Sequence, residues 1–330
     1  MTAGLSLAIP CRADEPGLDA TLESLLEACR HSQLPPQLLR EVVICINGLK
    51  LEEVCAPLTA VREFCARLGV PVEEVWVEPD DRQAKKRELG KVSTDLPFPS
   101  FIVLLTERKG KPPAWNTLWR WTRGEMVLFC DADVRVEREA VYHLYTGLQK
   151  EPQLRLVAAR EVPVLQTKST WWSRMGALPY RFDFGNAGGR LYLIWKNALS
   201  GTMPEDLLLE DAWLTMAVSR RWVMKEPCAQ VFFLPPATWR DCFAERIRTE
   251  GGKLQLRREH KVLLAEGPVA QYRWSQFWQR IAFREYPLVA CLLTLRLLAR
   301  FYAWMTVTRK DFYSLYRPFS STKAWAPTRQ

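Results

Sequence analysis

The chain has 330 residues, 48% hydrophobic and 25% charged, an ordinary globular composition with enough apolar content for one large domain or two small ones. Its nine cysteines include no Cys-x-x-Cys pair, and His31, His143 and His260 are scattered, which excludes a zinc framework. The odd cysteine number, the apolar surroundings of Cys45, Cys130 and Cys291, and the absence of a basic-then-apolar leader before Leu5 predict reduced core thiols in a cytoplasmic protein. The formal charge is +9, and Gln271–Gln330 carries ten Lys/Arg against two acids together with 14 of the 37 aromatics. The excess charge therefore belongs to the tail.

In chain order, Leu5–Ile9 reads as a short buried strand. Pro16–His31 then places Leu18, Leu22, Leu25, Leu26 and Cys29 at helical spacing. Glu41–Ile46 is a second strand, closed by the turn signal Asn47-Gly48. A helical pattern over Leu51–Leu68 precedes strands at Val72–Val77 and Phe101–Leu105, with a polar loop over Asp80–Pro97 between them. Pro112–Arg123 is helical with proline in its first turn, Met126–Cys130 a strand, Glu137–Lys150 a helix and Leu154–Arg160 a strand. Trp171–Gly201 is irregular and rich in Gly, Arg and aromatics, and Leu207–Arg221 and Trp239–Arg258 are further helices. Strands alternating with helices predict an α/β fold with a mostly parallel sheet flanked by helices. Ligands of such sheets collect at the carboxyl ends of the strands, where Pro10–Gly17, Asn47–Lys50 and Cys130–Arg135 lie.

Four motifs carry chemistry. In "MVLFCDADVRV" (126–136), Asp131 and Asp133 follow a buried strand; if the segment is extended, both point to one side. They can then share a hard cation such as Mg²⁺ or Mn²⁺ while leaving positions for a diphosphate. In "LLLEDAWLTMAV", Glu210 and Asp211 open an apolar helix, whose dipole is expected to keep them ionised; an ionised carboxylate can take a proton from an attacking hydroxyl. Plain helix capping explains an isolated Glu-Asp equally well, and Glu205-Asp206 repeats the dipeptide. In "ERKGKPPAWNTLW", Lys109 and Lys111 flank Gly110 before a helix, a phosphate-friendly arrangement without P-loop spacing. In "RIRTEGGKLQLRR", Arg246 and Arg248 are either diphosphate contacts or part of a solvated face.

The ordered blocks "LSLAIPCRADEPGLDATLESL", "EVVICINGL", "GKPPAWNTL", "MVLFCDADV", "GGRLYLIWKNAL" and "MPEDLLLEDAWLTMAV" resemble those of family-2 glycosyltransferases with the GT-A (nucleotide-diphospho-sugar transferase) fold, over roughly residues 5 to 260. The resemblance implies a GT-A domain at 1–260, with a nucleotide-sugar half (1–135) and an acceptor and catalytic half (136–260). A helical, basic, aromatic-rich segment follows at 261–330. By the same resemblance Asp131 and Asp133 look like the DxD motif that holds a divalent metal (Mn or Mg) and the nucleotide-sugar. Asp211, with Glu210 beside it, looks like the base. Pro10, Arg12, Asp14 and Glu15 resemble the first nucleotide loop, and Lys111 the lysine of the Gly-Lys block. Two departures stand out: Ile46 and Asn47 occupy the place where acidic residues often meet the nucleobase, and "ERIRTEGG" stands where processive members carry Gln-x-x-Arg-Trp.

The implied function is an inverting, metal-dependent, non-processive transfer of one sugar from a nucleotide-sugar, UDP-linked in the first instance, to the hydroxyl of a saccharide or lipid-linked acceptor. The competing readings are a non-catalytic nucleotide-sugar or lipid-binding homologue and a nucleic-acid binder; no nucleic-acid motif supports the latter. In "YPLVACLLTLRLLARFYAWMTV" (286–307), Arg296 and Arg300 lie four apart and argue against a span. This stretch is either a helix lying on the cytoplasmic face of a membrane or an ordinary packed helix. Trp274, Trp278, Trp304, Arg280 and Arg284 suit the former.

Overall fold

The computed structural model describes residues 4–35, 37–50, 55–77, 99–166, 169–181, 187–259 and 281–307. The expected loop Asp80–Pro97, the first turn of the expected helix from Leu51, the boundary at 260–261, and Trp274, Trp278 and Arg280 lie outside them. Nine strands form one sheet: β1 (Leu5–Arg12), β2 (Leu39–Asn47), β3 (Val72–Trp76), β4 (Ser100–Thr106), β5 (Met126–Cys130), β6 (Arg135–Val136), β7 (Leu156–Pro163), β8 (Leu191–Trp195) and β9 (Val223–Phe233). Their order is β3-β4-β2-β1-β5-β8-β7-β9-β6. The first five to pair, β3 through β5, run parallel. β8 enters antiparallel between β5 and β7, β9 runs parallel to β7 and β6 antiparallel to β9. The sheet is thus mixed, mostly parallel and flanked by helices, as expected.

The run Leu5–Cys11 is continuously apolar or small because a central parallel strand is covered on both faces. Its alternate residues part company. Leu5, Leu7, Ile9 and Cys11 pack with Leu18, Leu22 and Leu25 of α1 (Leu18–Cys29). Ala8 faces the other layer with Ala114, Trp115 and Leu118 of α3 (Lys111–Trp121). Trp115 is buried between Trp119 and Phe129, both 5.0 Å away between ring centroids. Its indole N–H donates to the Tyr192 hydroxyl at 2.7 Å, which satisfies both polar tips inside an apolar layer.

Helices α2 (Ala56–Leu68), α4 (Ala140–Lys150) and α5 (Trp171–Ala177) complete the flanks, and α6 (Glu210–Ala217) and α7 (Trp239–Glu259) follow. Two strands, β8 and β9, arise where periodicity predicted irregular chain and where it predicted no element. The helix expected over Leu207–Arg221 is confined to α6 (Glu210–Ala217), and the chain turns at Ser219, which has φ 71°. The last helix, α8 (Tyr286–Val307), packs on α5 and α7 and shares a core of Met175, Leu178, Cys242, Leu288 and Val289 with them. All nine cysteines are free thiols, five of the buried ones lying in the sheet or its covering helices.

Candidate active site

The site forms at the carboxyl ends of β1, β2, β4 and β5. Pro10 and Arg12 belong to β1 itself, whose strand runs three residues further than the apolar pattern indicates. Arg12 pairs with the exposed Asp14 at 2.5 Å. Glu15 is buried and accepts the Gly17 N–H at 3.2 Å, holding the turn into α1. Asn47 is also buried, and its side-chain amide donates to the Cys11 carbonyl at 2.9 Å. It therefore ties the ends of β1 and β2 together.

Asp131 lies just past β5, and residues 132–133 form a turn. The expectation that Asp131 and Asp133 share a side through strand alternation is corrected: a turn, not an extended segment, brings them close. Two anchors set that turn. The Asp131 N–H donates to the Arg190 carbonyl at 2.8 Å. The buried Thr21 hydroxyl lies 2.7 Å from the Val134 carbonyl and accepts the Val134 N–H at 3.2 Å. Gly17 packs against this turn, and a Cβ there would make only ordinary contact, 3.5 Å from the Ala132 carbonyl and from Asp133 Cα.

Lys111 connects this turn to the second motif. Gly110 precedes it at φ 116°, a conformation that favours glycine, and the following Pro112 and Pro113 start α3. From this first helical position the Lys111 ammonium reaches Asp131 Oδ1 at 2.7 Å, Glu210 Oε1 at 2.9 Å and the Gly189 carbonyl at 3.3 Å. Burial opposes its charge, but Asp131 and Glu210 outweigh that and hold its pKa well above the ordinary lysine value. Burial raises Asp131 to about 6 against the pull of Lys111. For Glu210 burial is outweighed by Lys111 and Arg248, which bring it down to about 2.

Asp211 is less acidic than its place at a helix start implies. Burial, then the charges of Glu210 and Glu161, raise its pKa to about 6, which still leaves it mostly ionised at neutral pH. Three like-charged or desolvating influences overcome one helix end, whose effect is typically below about 1 kcal/mol. The Asp211 side chain is placed by Gly189, where a Cβ would come within 3.2 Å of Asp211 Cβ. Leu209 is the N-cap residue, and among the described residues the Asp211 carboxylate accepts the adjacent Ala212 N–H at 2.8 Å.

Arg246 and Arg248 both turn to this region from α7. Arg246 is ion-paired to Glu245 at 3.1 Å and stands near Tyr180, while Arg248 faces Glu210. Residues 206–209 are fixed to α7 by Gln255, which accepts the Leu208 N–H at 3.1 Å and donates to the Asp206 carbonyl at 2.9 Å. Gly252 allows the close approach, since a Cβ would fall 2.5 Å from Leu209 Cγ.

Sequence reasoning passed over Glu161, Tyr180, Gly188, Gly189 and Arg190. The Arg190 guanidinium is paired to Glu161 at 3.0 Å, lies 3.8 Å over the Phe233 ring and sends its charge toward Asp131 and Asp133. A Cβ on Gly188 would meet the Glu161 side chain at 3.1 Å. The Gly-Gly-Arg run was the one available signal for these; Glu161, inside a strand, had none.

Among the described residues no group of three or more His, Cys, Asp or Glu is arranged to hold a metal ion. Asp131 and Asp133 are a pair of hard oxygen donors, both partly exposed. That suits Mg²⁺ or Mn²⁺, which is commonly held by one or two carboxylates and completed by phosphate oxygens and water.

Comparison with known proteins agrees with the fold. The model of Glycosyl transferase family 2 matches residues 80–200, a segment that contains Lys111, Asp131, Asp133, Gly189 and Arg190. The mannosyltransferase PcManGT from Pyrobaculum calidifontis, in complex with GDP-Man and Mn²⁺, shares the fold with a TM-score of 0.54 at 17% identity over 97% of this chain and 82% of that one. TarS 1–349 of S. aureus with UDP-GlcNAc gives 0.47 at 13% identity, covering 90% and 81%. Glucosyl-3-phosphoglycerate synthase of Mycobacterium tuberculosis with Mg²⁺ and UDP gives 0.44 at 12%, covering 77% and 79%. No curated protein matches the sequence. Sheet order, site position and matched segment define the class: the protein is a glycosyltransferase of GT-A fold. Within that class it carries a Glycosyl transferase family 2 segment over residues 80–200.

Proposed function

We propose that the protein transfers a single sugar from a nucleotide-sugar to an acceptor hydroxyl with inversion, and that it needs a divalent metal. The observation that carries this reading is the Lys111 bridge. One ammonium joins the carboxylate pair after β5 to the pair opening α6, so donor and base chemistry share one cleft. Asp131 and Asp133 would hold Mn²⁺ or Mg²⁺, which when bound neutralises charge on the diphosphate leaving group. Lys111, Arg246 and Arg248 add fixed positive charge around the same oxygens. Asp211, ionised, accepts the proton of the acceptor hydroxyl. The hydroxyl oxygen bonds to the anomeric carbon while the bond from that carbon to the diphosphate oxygen breaks, and the nucleoside diphosphate leaves on the opposite face. Arg12 and Asn47, at the ends of β1 and β2, border the nucleoside end.

The protein is further proposed to sit peripherally on the cytoplasmic face of a membrane. Among the described residues one stretch, Phe283–Thr306, is long and apolar enough to cross a membrane by length and composition. What favours surface contact over a span is Arg296, which is engaged with Glu250 of α7 at 2.9 Å and so belongs to a helix docked on the enzyme. The test of function is product analysis with UDP- and GDP-linked sugars, Mn²⁺ and a membrane lipid extract. Metal-dependent release of nucleoside diphosphate coupled to a glycosylated product is expected; failure to bind or turn over any donor would refute the reading.

A further inference from the structure

One face of α7 leads from a residue of the reaction above to features that the reaction does not use. Arg246, Glu250 and Leu254 follow at four-residue spacing and therefore share a helix face. Each does something different. Arg246 stands near Tyr180, whose hydroxyl accepts from Arg190 at 3.4 Å, and Glu250 holds Arg296 of α8. Leu254 opens on a groove of about 300 Å³, lined also by Leu297, Arg300, Phe301 and Trp304 of α8. From the 1.5 Å rise per residue, Leu254 is about 12 Å from Arg246 along the axis. The groove therefore lies on the same helix face as Arg246, with the buried Glu250 between them.

The lining says what could lie there. Leu297, Phe301 and Trp304 are 68%, 61% and 53% exposed, a contiguous stripe at positions i, i+4 and i+7; clustered exposure of this kind marks a binding surface. The polar member of the lining is Arg300, which has no carboxylate partner among the described residues. Beyond Leu254 on α7, the exposed Arg257 and Arg258 outnumber the exposed Glu259. A water-soluble sugar would find one charged group and no other polar side chain here, and the groove is too small for a helix some 10 Å across. A single hydrocarbon chain with an anion near its end matches both the apolar stripe and the cationic rim.

We propose that this groove is the hydrocarbon subsite of the acceptor, which is accordingly an amphiphile with an anionic head group. Its chain lies along Leu254, Leu297, Phe301 and Trp304, its anion meets Arg300, and its head group extends past Arg246 so that the hydroxyl reaches Asp211. The acceptor role rests on the glycosyltransferase reading; the affinity of the groove for a chain does not.

The experiment uses the full chain in two arms. In the first, decyl phosphate and butyl phosphate are titrated calorimetrically below micellar concentration. Decyl phosphate should bind far more tightly, by up to about fourfold per buried methylene. Leu297→Asp and Phe301→Asp should weaken it at least tenfold while UDP binding with Mn²⁺ stays unchanged, which shows that the variants are folded. In the second, labelled sugar from each donor is followed into a membrane lipid extract. The product should extract into organic solvent, and the same variants should raise the acceptor KM with little change in kcat. Equal binding of the two phosphates, no binding, as when a segment of the chain itself fills the groove, or equal affinity in the variants would overturn the proposal. So would label found in water-soluble acceptors alone. Chain-length-dependent binding with no donor bound or turned over would instead strike down the transferase reading, and with it the acceptor role.

Discussion

Lys111 lies 2.7 Å from Asp131, so the first carboxylate of the Asp-x-Asp pair is neutralised by the chain's own cation. The same ammonium holds Glu210, and its removal would leave two largely buried carboxylates without their counter-charge. Breaking such a pair from one side costs about 3–5 kcal/mol. Lys111→Met should accordingly lower the urea midpoint sharply and weaken donor binding. An unchanged midpoint would mean that the bridge contributes nothing to the fold.

Asp133 makes the complementary case. It is partly exposed at the turn and can be removed without opening the core. Asp133→Ala should abolish the metal-dependent part of nucleotide binding and leave thermal stability near wild type. Titration of UDP and GDP with and without Mn²⁺ measures this; an unaltered metal dependence would exclude Asp133 as a ligand.

Asp211 should set the acidic limb of the rate profile. With its pKa raised to about 6, the proton-accepting form is gained as pH rises through that value, and kcat should climb accordingly. Asp211→Asn should cost about 10²–10⁴ in kcat and keep donor affinity. A raised folded pKa favours the protonated side chain, so Asp211 is a stability cost once pH exceeds about 6. The Asn variant should therefore be at least as stable as wild type at pH 7, by thermal unfolding. A variant that transfers normally would remove Asp211 from the mechanism.

Gly189→Ala tests the placement of that base. The added methyl group would meet Asp211 Cβ at 3.2 Å, closer than relaxed packing allows, and must push the carboxylate aside. A shift of a few tenths of an ångström should lower transfer by less than the roughly 10²-fold of a 1 Å misplacement, while donor affinity is retained. Full activity would show that the base tolerates the shift.

On α8, Arg296 and Arg300 should behave differently although they lie one turn apart. Arg296 and Lys253 both donate to Glu250 Oε1 at 2.9 Å, and Glu250 is buried. Arg296→Gln should lower stability by about 1–2 kcal/mol with little effect on co-sedimentation with anionic vesicles. Arg300→Gln should do the reverse, weakening vesicle binding at low salt. Equal effects of the two on sedimentation would return both arginines to one lipid-facing surface.

Much of this molecule was legible in order of residues alone. Continuous apolar runs located β1, β2, β4 and β5, because a central parallel strand is covered on both faces, and helical apolar spacing located α1, α3 and α4. Motif spacing located Asp131, Asp133, Glu210 and Asp211 at strand and helix ends. β8 and β9 escaped because their pairing partners are distant. Leu191–Trp195 becomes a strand by lying antiparallel to β5, and Val223–Phe233 by lying beside β7, while their own patterns are short or mixed.

The charge balance of the site was decided by tertiary structure. Position along the chain says that Asp211 opens a helix, an end that favours ionisation; packing places Glu210 and Glu161 close enough, and water far enough away, to raise its pKa to about 6. Likewise nothing local couples Lys111 to Glu210, Arg190 to Glu161, or Arg296 to Glu250. Charge interactions act through space with a strength set by distance and burial, and the chain encodes neither until the sheet has closed. The residue types and their strand or helix ends were therefore fixed by sequence, while which charge faces which, and in what protonation state, was settled only by the fold.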